Sequence, residues 1–374
     1  MKTFNFSQSV SSRNKSLLRH VLPLLLLILS VNGLMAQQVI GSFPTMDGGF
    51  EGQAASGTAL VGTSIGTGVQ RTDWTCGTAS YGTVQSATPR TGSKYINFNL
   101  TAATKRIQSP TAGNGAIVGA STYIVQYYYR TSGATAPGGT IQTVGASSDG
   151  TNPTSSISYT NIGAIGTTTS ASNILTSVTF HAPIVAGASI TGTGIPASTT
   201  ITSFTSNTIT ISNYATANGS NIALTIPLAA TNNTWTKLVA KVTAANSTPS
   251  PKYGYFAAFR TSAAMAAAVD MDDFVAYAGT TVDETAPDPI TLPNQAAAAA
   301  TQQTISWTAP VAGVDGGGYM VVRGLADPTT TPNANGIYKI GNTVAAGEQV
   351  VYLGTSTSFV DLGLTPSTTY YYRI

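Results

Sequence analysis

The chain has 374 residues, only 8% of them charged, and carries 17 Lys and Arg against 14 Asp and Glu. Four of the basic residues and none of the acids lie in residues 1–36, so 13 basic and 14 acidic side chains remain beyond that segment. The remaining basic residues do not cluster, which argues against a nucleic-acid-binding patch. A single cysteine, Cys76, excludes an internal disulfide.

Residues 1–36 predict a signal peptide. Arg13, Lys15 and Arg19 precede an apolar run, and small residues then lead to Ala36. The run is about 11 residues long, shorter than the roughly 20 that cross a bilayer. No later segment is longer without polar interruption, so we expect no transmembrane segment and a secreted or cell-surface protein. The alternative is an N-terminal helix that stays buried or anchors the chain.

Short runs of Thr, Val, Ile and Tyr between Gly, Pro and Asn predict an all-β protein. The strand at 123–130 alternates two sets of side chains, and one set must be buried. Our first choice places Tyr127 and Tyr129 in the core, with Tyr128 and Arg130 exposed. The sequence alone leaves the reverse open.

Residues 37–279 are the first predicted domain, and residues 145–228 differ from the rest of it. They contain no basic residue, Asp149 is their only acid, and Thr and Ile alternate between regular turn signals. We therefore predict an inserted β subdomain there, the alternative being low-complexity disorder. A Pro-rich linker at 280–290 and a last β domain at 291–374 follow.

The last domain stops inside an aromatic run, at residues 370–374. An unpaired strand would leave its backbone groups and apolar face without partners. We therefore expect a truncated domain with an exposed apolar edge, and native sequence beyond residue 374 that could include a sorting signal for surface export. An extension by the missing strand, about 10 to 15 native residues, is expected to raise the melting temperature of this domain.

Three motifs of the last domain, at 285–289, 305–307 and 364–370, resemble those of a fibronectin type III domain. The resemblance implies an immunoglobulin-like β-sandwich that lacks its seventh strand. It also implies that Trp307 packs in the core and that Tyr370 makes a corner hydrogen bond to the backbone. Members of that family commonly serve as spacers or make protein contacts.

The first domain, apart from its insert, resembles the β-jelly roll of carbohydrate-binding modules. The motifs that carry this resemblance are Met46–Glu51, Thr88–Ser93, the tyrosine-rich strand at 123–130, Trp235–Lys237 and Met271–Phe274. The resemblance implies a jelly-roll β-sandwich. The insert is similar to short β-modules of bacterial adhesins and phage tail proteins, on residues 192–201.

No set of residues predicts a catalytic centre. The one histidine beyond the signal, His181, shares its segment with a single acid, Asp149. The three glutamates, Glu51, Glu284 and Glu348, fall in three different segments, so they predict no carboxylate pair for glycoside hydrolysis. No glycine motif precedes a helix that could receive phosphate. We therefore predict a non-enzymatic protein.

Glycan recognition is the function that we predict for the jelly roll, in a secreted or surface adhesion protein. Sugar rings stack on aromatic faces, and their hydroxyls pair with planar polar groups. The candidate ligand-binding residues are Trp74, Tyr81, Tyr128 and Arg130. The alternative is a structural spacer or stalk with no small ligand, with protein contacts made through the fibronectin-like domain.

A structural calcium ion is implied by the resemblance to the jelly-roll family, whose opening motif and closing strand often hold Ca²⁺. The matching residues are Glu51 and Asp272, with Asp47 close to Glu51 in sequence. Carboxylate and carbonyl oxygens are the ligands that Ca²⁺ prefers. We choose Asp272 over Asp273 because neighbouring side chains of a strand point to opposite faces. The alternative is that these acids are solvated turn residues.

Overall fold

The structure of the protein is a computed structural model. It describes residues 3–5, 38–40, 47–53, 55–60, 73–76, 82–99, 106–110, 121–137, 141–143, 146–147, 160–161, 163–180, 184–243, 255–261, 265–279, 290–310, 318–333 and 336–374. Every regular element in these ranges is a β-strand, which confirms the prediction of an all-β protein. Accordingly, the described residues form no helix that could cross a membrane.

The strands before the inserted region are β1 (Thr3–Asn5), β2 (Gln38–Ile40), β3 (Thr75–Cys76), β4 (Gly82–Gln85), β5 (Tyr95–Phe98), β6 (Arg106–Gln108), β7 (Thr122–Thr131), β8 (Ile141–Thr143), β9 (Ala146–Ser147) and β10 (Thr160–Asn161). The inserted region contains β11 (Gly163–Thr168), β12 (Ile174–Phe180), β13 (Ile201–Phe204), β14 (Ile209–Ile211) and β15 (Gly219–Thr225). The strands that follow are β16 (Thr236–Thr243), β17 (Tyr255–Thr261), β18 (Val269–Ala278), β19 (Thr291–Ala299), β20 (Gln302–Thr308), β21 (Tyr319–Gly324), β22 (Thr343–Ala345), β23 (Glu348–Gly354), β24 (Ser358–Leu362) and β25 (Tyr371–Arg373).

The chain divides into two compact units. The first unit consists of residues 1–37, 285–331 and 340–374, and the second of residues 38–284 and 332–339. The sequence places residues 332–339 in the last domain, whereas the structure groups them with the second unit.

Two antiparallel sheets of the second unit face each other across one core. Sheet 1 has the strand order β16-β7-β18-β5-β4, with β2 also paired to β18. Sheet 2 has the order β10-β8-β17-β6-β3, with β9 also paired to β17. Their shared core includes Tyr127 and Met271 from sheet 1 and Ile107 from sheet 2. Two sheets packed in this way form a β-sandwich.

The alternation in β7 is settled by this packing. Tyr127 and Tyr129 are 0% exposed and belong to the core, which confirms our choice of the core residues but not the expected exposure of Arg130. Tyr128 is half-buried on the outer face of sheet 1, the face turned away from the core. Arg130 lies on the same face but is only 8% exposed, because neighbouring side chains cover it.

The inserted region forms a separate sheet, sheet 3, in the order β13-β14-β12-β11-β15. It has its own core, which includes Leu175, Ile190 and Ile209. Sheet 3 spans residues 163–225, less than the predicted 145–228, because β9 and β10 pair with strands of sheet 2. The backbone groups of β9 and β10 therefore belong to the surrounding sandwich.

Replacement of residues 163–226 by a short Gly-Ser bridge is expected to leave the second unit folded. No side chain of sheet 3 belongs to the core between sheets 1 and 2. Gly163 lies opposite Thr225, so a short bridge can join the two ends of the replaced segment. Thermal unfolding followed by circular dichroism should retain a cooperative transition for this unit. Loss of that transition would show that the sandwich needs sheet 3.

The first unit contains two sheets, in the orders β1-β25-β21-β23-β22 and β19-β20-β24. Trp307 is buried, with its ring centroid 5.1 Å from that of Tyr319. The Thr365 N–H donates to the Tyr370 hydroxyl at 3.0 Å. A buried tryptophan and a tyrosine bonded to the backbone are what the resemblance to a fibronectin type III domain implies.

The edge of β25 that the sequence analysis expects to be exposed is paired with β1. Phe4 lies opposite Tyr372 in an antiparallel register. Free N–H and C=O groups at the edge of a sheet pair with any strand that can reach them. Residues of the predicted signal peptide therefore pair with this edge in the structure.

Candidate functional site

A row of polar and aromatic side chains crosses the outer face of sheet 1. Arg130 lies opposite Asp270, Asp270 opposite Asn97, and Asn97 opposite Thr83, on four neighbouring strands. Trp235 completes the row beside Arg130, because Thr236 pairs with Tyr129 at the start of β16. We call this set the polar row; its members are Trp235, Arg130, Asp270, Asn97 and Thr83.

The alternation of each strand places the polar row on the outside. The neighbours of these residues in sequence, Tyr129, Met271, Ile96 and Val84, are buried in the core between the two sheets. Successive side chains of a strand point to opposite faces. The members of the polar row on these strands, Arg130, Asp270, Asn97 and Thr83, must therefore lie on the outer face.

Arg130 is held at the centre of a cluster of rings and acceptors. Its Nε donates to Asp270 Oδ2 at 2.7 Å, and an Nη donates to Thr88 Oγ1 at 2.7 Å. Its guanidinium carbon lies 4.3 Å from the ring centroid of Trp235 and 5.0 Å from that of Tyr95. A cation over two aromatic rings stabilises their orientation. Arg130 therefore fixes Trp235 and Tyr95 in position.

The charge of Arg130 is balanced within the polar row. Asp270 accepts from Arg130 through Oδ2, while its Oδ1 accepts from Asn97 Nδ2 at 2.6 Å. Trp235 and Asn97 are both half-buried, so each retains some contact with solvent. The row thus offers an indole and an amide beside a neutralised ion pair, which suits an uncharged polar ligand.

Tyr128, a predicted ligand-binding residue, lies beneath another side chain. The Arg90 guanidinium carbon is 3.3 Å from the centroid of the Tyr128 ring. Arg90 covers one face of this ring, and Tyr128 is half-buried. The structure therefore places Tyr128 directly beside the polar row, and its role in ligand binding stays a prediction.

Trp74 belongs to the core, which corrects its assignment to a ligand-binding surface. It is 1% exposed and packs edge-to-face on Phe50 and Phe274, at centroid distances of 4.8 and 5.0 Å. Its indole N–H donates to the Asp47 carbonyl at 2.8 Å. An indole enclosed in this way cannot reach a sugar. Tyr81 lies outside the described residues.

Asp47 and Glu51, two of the predicted calcium ligands, are buried and hydrogen-bonded separately. Asp47 accepts from Gln53 Nε2 at 2.7 Å and from the Gly52 N–H at 3.0 Å. Glu51 accepts from the Ser93 N–H at 2.6 Å and from Ser93 Oγ at 2.7 Å, through different oxygens. Burial raises the pKa of the Asp47 carboxyl above its ordinary value.

Asp272 and Asp273 both face the loop at residues 90–91. Asp272 Oδ2 accepts from the Arg90 N–H at 2.8 Å, and Asp273 Oδ2 forms a 2.5 Å ion pair with Arg90 Nη1. We expected the two side chains to point to opposite faces. A bulge in β18 and a left-handed φ of 52° at Asp273 instead turn both toward one loop.

The pKa of both carboxyls is raised by burial. For Asp272 the neighbouring Asp273 carboxylate adds to this effect, so its pKa lies well above the ordinary range. For Asp273 the Arg90 guanidinium opposes it. The Arg90 side chain therefore stabilises one charge of a carboxyl pair that burial otherwise disfavours.

The three predicted calcium ligands do not fit a calcium ion as they are arranged. Each of Asp47, Glu51 and Asp272 accepts N–H or O–H donors on both of its oxygens. In the described part of the chain, no group of three or more His, Cys, Asp and Glu side chains could hold a metal ion. Calcium binding stays a prediction from the resemblance alone.

Thermal unfolding with free calcium and with a chelator distinguishes the calcium site that the resemblance implies from carboxylates that are held by hydrogen bonds alone. The hydrogen bonds predict equal melting temperatures in both conditions, because the carboxylate oxygens already have donors. A calcium ion that binds only the folded state would raise the melting temperature of the wild type. Such a rise in the wild type, absent in Asp272→Ala, would establish the calcium site and contradict the equal melting temperatures that the hydrogen bonds predict.

Comparison with known proteins gives little further information. No protein-family model and no curated protein matches the sequence. Among solved structures, the chain is similar to the CBM22-1 xylan-binding domain of Xyn10C from Paenibacillus barcinonensis. The two are 12% identical with a TM-score of 0.25, over 61% of this chain and 99% of that one. A TM-score of 0.25 does not establish a common fold, so the function is inferred from the geometry of the site.

The sequence analysis missed Trp235, Tyr95 and Asp270 as site residues. Trp235 and Lys237 alternate with buried Leu238, which could have placed them on an outer face. The position of Trp235 beside Arg130 depends on the register between β16 and β7, which no local pattern specifies.

Proposed function

We propose that the protein is a non-enzymatic, secreted or cell-surface protein that binds a glycan on the outer face of sheet 1. The observation that carries this proposal is the Arg130 guanidinium fixed over the rings of Trp235 and Tyr95 within the polar row. An aromatic ring held in one orientation stacks on a sugar ring at a low entropic cost. Trp235 is the stacking platform.

An uncharged glycan is the ligand class that the electrostatics favour. Arg130 is paired with Asp270, and Arg90 with Asp273, so two cations of this face are already neutralised. The Asn97 amide supplies the planar polar group that a sugar hydroxyl can bond. A charged glycan would have to compete with these ion pairs.

Trp235→Ala is expected to weaken glycan binding at least tenfold, which corresponds to about 1.4 kcal/mol. The full chain is first applied to a glycan array, and the affinity of the best ligand is then measured by calorimetry. The matched control is Tyr214→Ala, which removes an aromatic residue that is 65% exposed in the connection between β14 and β15. Equal affinity of the wild type and Trp235→Ala would show that the glycan binds elsewhere.

A spacer or stalk with no small ligand is the second candidate function. The buried Trp307 and the hydrogen bond to the Tyr370 hydroxyl favour it for the first unit, since fibronectin-like domains serve as spacers. In this case no glycan of the array binds above background. In our proposal the first unit carries the spacer role and makes protein contacts, and the second unit carries the binding role.

A further inference from the structure

Residues 88–93 form a loop that crosses the outer face of sheet 1 beside the polar row. At its start, Thr88 accepts the hydrogen bond from Arg130. In its middle, Arg90 covers the Tyr128 ring, and the N–H groups of Arg90 and Thr91 donate to Asp272. The loop is therefore fixed over the strands directly next to the polar row.

Residues 332–339 support this loop from the side away from the polar row. Asn333 Nδ2 donates to the Arg90 carbonyl at 2.8 Å. The Ile337 carbonyl accepts from Thr91 Oγ1 at 3.0 Å, and the Ile337 N–H donates to Asp273 Oδ1 at 2.6 Å. Backbone and side-chain bonds thus join this distant segment to both the loop and the buried Asp273.

The side chain of Ile337 covers the apolar end of the outer face. It forms a buried cluster with Ile124, Val275 and Tyr277 of β7 and β18, and Val239 packs against this cluster. These strand residues lie beyond Tyr128, at the end of sheet 1 opposite the polar row. The part of the outer face that could hold a ligand is therefore limited to the polar row and its immediate neighbours.

Residues 336–337 pack closely on residues 49 and 91. A Cβ atom on Gly49 would lie 2.9 Å from the Ile337 carbonyl oxygen, and one on Gly336 would lie 2.7 Å from Thr91 Cγ2. A side chain at either glycine would therefore force the neighbouring residue to shift. We call residues 88–93, 332–333 and 336–339 together the wall, since hydrogen bonds join these segments.

We propose that the wall makes the site selective for unbranched glycan chains. This inference rests on the proposed glycan binding at the polar row. The row crosses five strands spaced about 4.8 Å apart, so it is about 19 Å long. A single sugar chain can lie along it and contact its half-buried members, Trp235, Asn97 and Thr83. Any branch that points toward the wall meets backbone that is held by hydrogen bonds. A clash with the wrong ligand is an established source of specificity.

Branches on consecutive sugars of a β-1,4-linked backbone discriminate best. Neighbouring sugars of an extended β-1,4-glucan or β-1,4-mannan backbone are turned over relative to each other, so their branches project to opposite sides. At least one branch then points toward the wall, whichever way the chain lies. A linear chain has no branch to exclude.

The test compares linear and branched oligosaccharides on the full chain. The probes are matched pairs of β-1,4-glucan and β-1,4-mannan oligosaccharides, each pair containing one linear member and one with branches on consecutive sugars. For the pair that binds, the wild type should favour the linear member at least tenfold. Gly49→Ala, which forces Ile337 to shift, and Asn333→Ala, which frees the loop, should each lower this ratio below about threefold.

The control variant is Gly133→Ala, because a Cβ at Gly133 meets no atom within 4 Å and should leave the ratio unchanged. Circular dichroism confirms that each variant is folded, and the two wall variants act on different contacts. An unchanged ratio in both folded wall variants, with binding still lost in Trp235→Ala, would overturn the role of the wall alone. Failure of the wild type to bind any probe would overturn the proposed function as well.

Discussion

Trp74→Ala is expected to lower the free energy of unfolding of the second unit by about 3 to 5 kcal/mol. The indole is enclosed in the core, where it touches Phe50 and Phe274, and its N–H bonds to the Asp47 carbonyl. Alanine would leave a large cavity and an acceptor without its donor. Denaturation by urea, followed by circular dichroism, measures the loss.

Trp235→Ala is the matched control for this substitution. The indole of Trp235 is half-buried on the outer face, so its removal should cost less than about 1.5 kcal/mol. The two tryptophans should therefore separate stability from binding. A stably folded Trp74→Ala protein with lost glycan affinity would restore Trp74 to the ligand-binding residues.

Asp273→Ala is expected to destabilise the second unit by about 3 to 5 kcal/mol, since it breaks a buried ion pair. Arg90 would lose its carboxylate partner, and the Ile337 N–H and the Thr91 hydroxyl would lose their acceptor. Alanine is also disfavoured at the left-handed φ of 52°.

Asp273→Asn separates these contributions. Asparagine tolerates the left-handed backbone and keeps one oxygen that can accept from Ile337 N–H, but it cannot pair with the Arg90 charge. Urea denaturation should place it between the wild type and Asp273→Ala. A loss below about 1 kcal/mol for Asp273→Ala would show that the pair contributes little to the fold.

The alternation of residues could predict the strands of sheet 1, but it could not predict how far each side chain on the outer face is covered by other residues. The alternation in β7 correctly paired Tyr127 with Tyr129 and Tyr128 with Arg130. It could not reveal that Arg90, from a loop about 40 residues earlier in the chain, covers Tyr128. Exposure on the outer face depends on loops whose course is set by long-range hydrogen bonds.

Trp74 is the opposite case, because it was predicted to lie on a ligand-binding surface and is buried in the core. It precedes a strand of two residues, Thr75–Cys76, which is too short to show any alternation. An aromatic residue in an irregular segment can therefore be placed only by the core that surrounds it. Asp273 is similar, because a bulge reverses the direction that regular alternation predicts.

The wall could not be predicted from the sequence. Residues 332–339 read as a turn-rich connection within the last domain, with Asn and Gly at the positions expected for a loop. Only the bonds from Asn333 and Ile337 to Arg90, Thr91 and Asp273 reveal their place in the second unit. Contacts between residues 64 to 246 positions apart leave no periodic signal in the sequence.

Tryptophan fluorescence tests glycan binding at Trp235 most directly. The chain has three tryptophans, of which Trp74 and Trp307 are enclosed in separate cores at 1% and 5% exposure. A glycan that stacks on the polar row should therefore change the emission of Trp235 alone. Titration of the wild type with the best linear oligosaccharide of the array is predicted to give a saturable change, which Trp235→Phe abolishes. A saturable change that persists in Trp235→Phe, or binding by calorimetry without any change in the wild type, would contradict a binding site at Trp235.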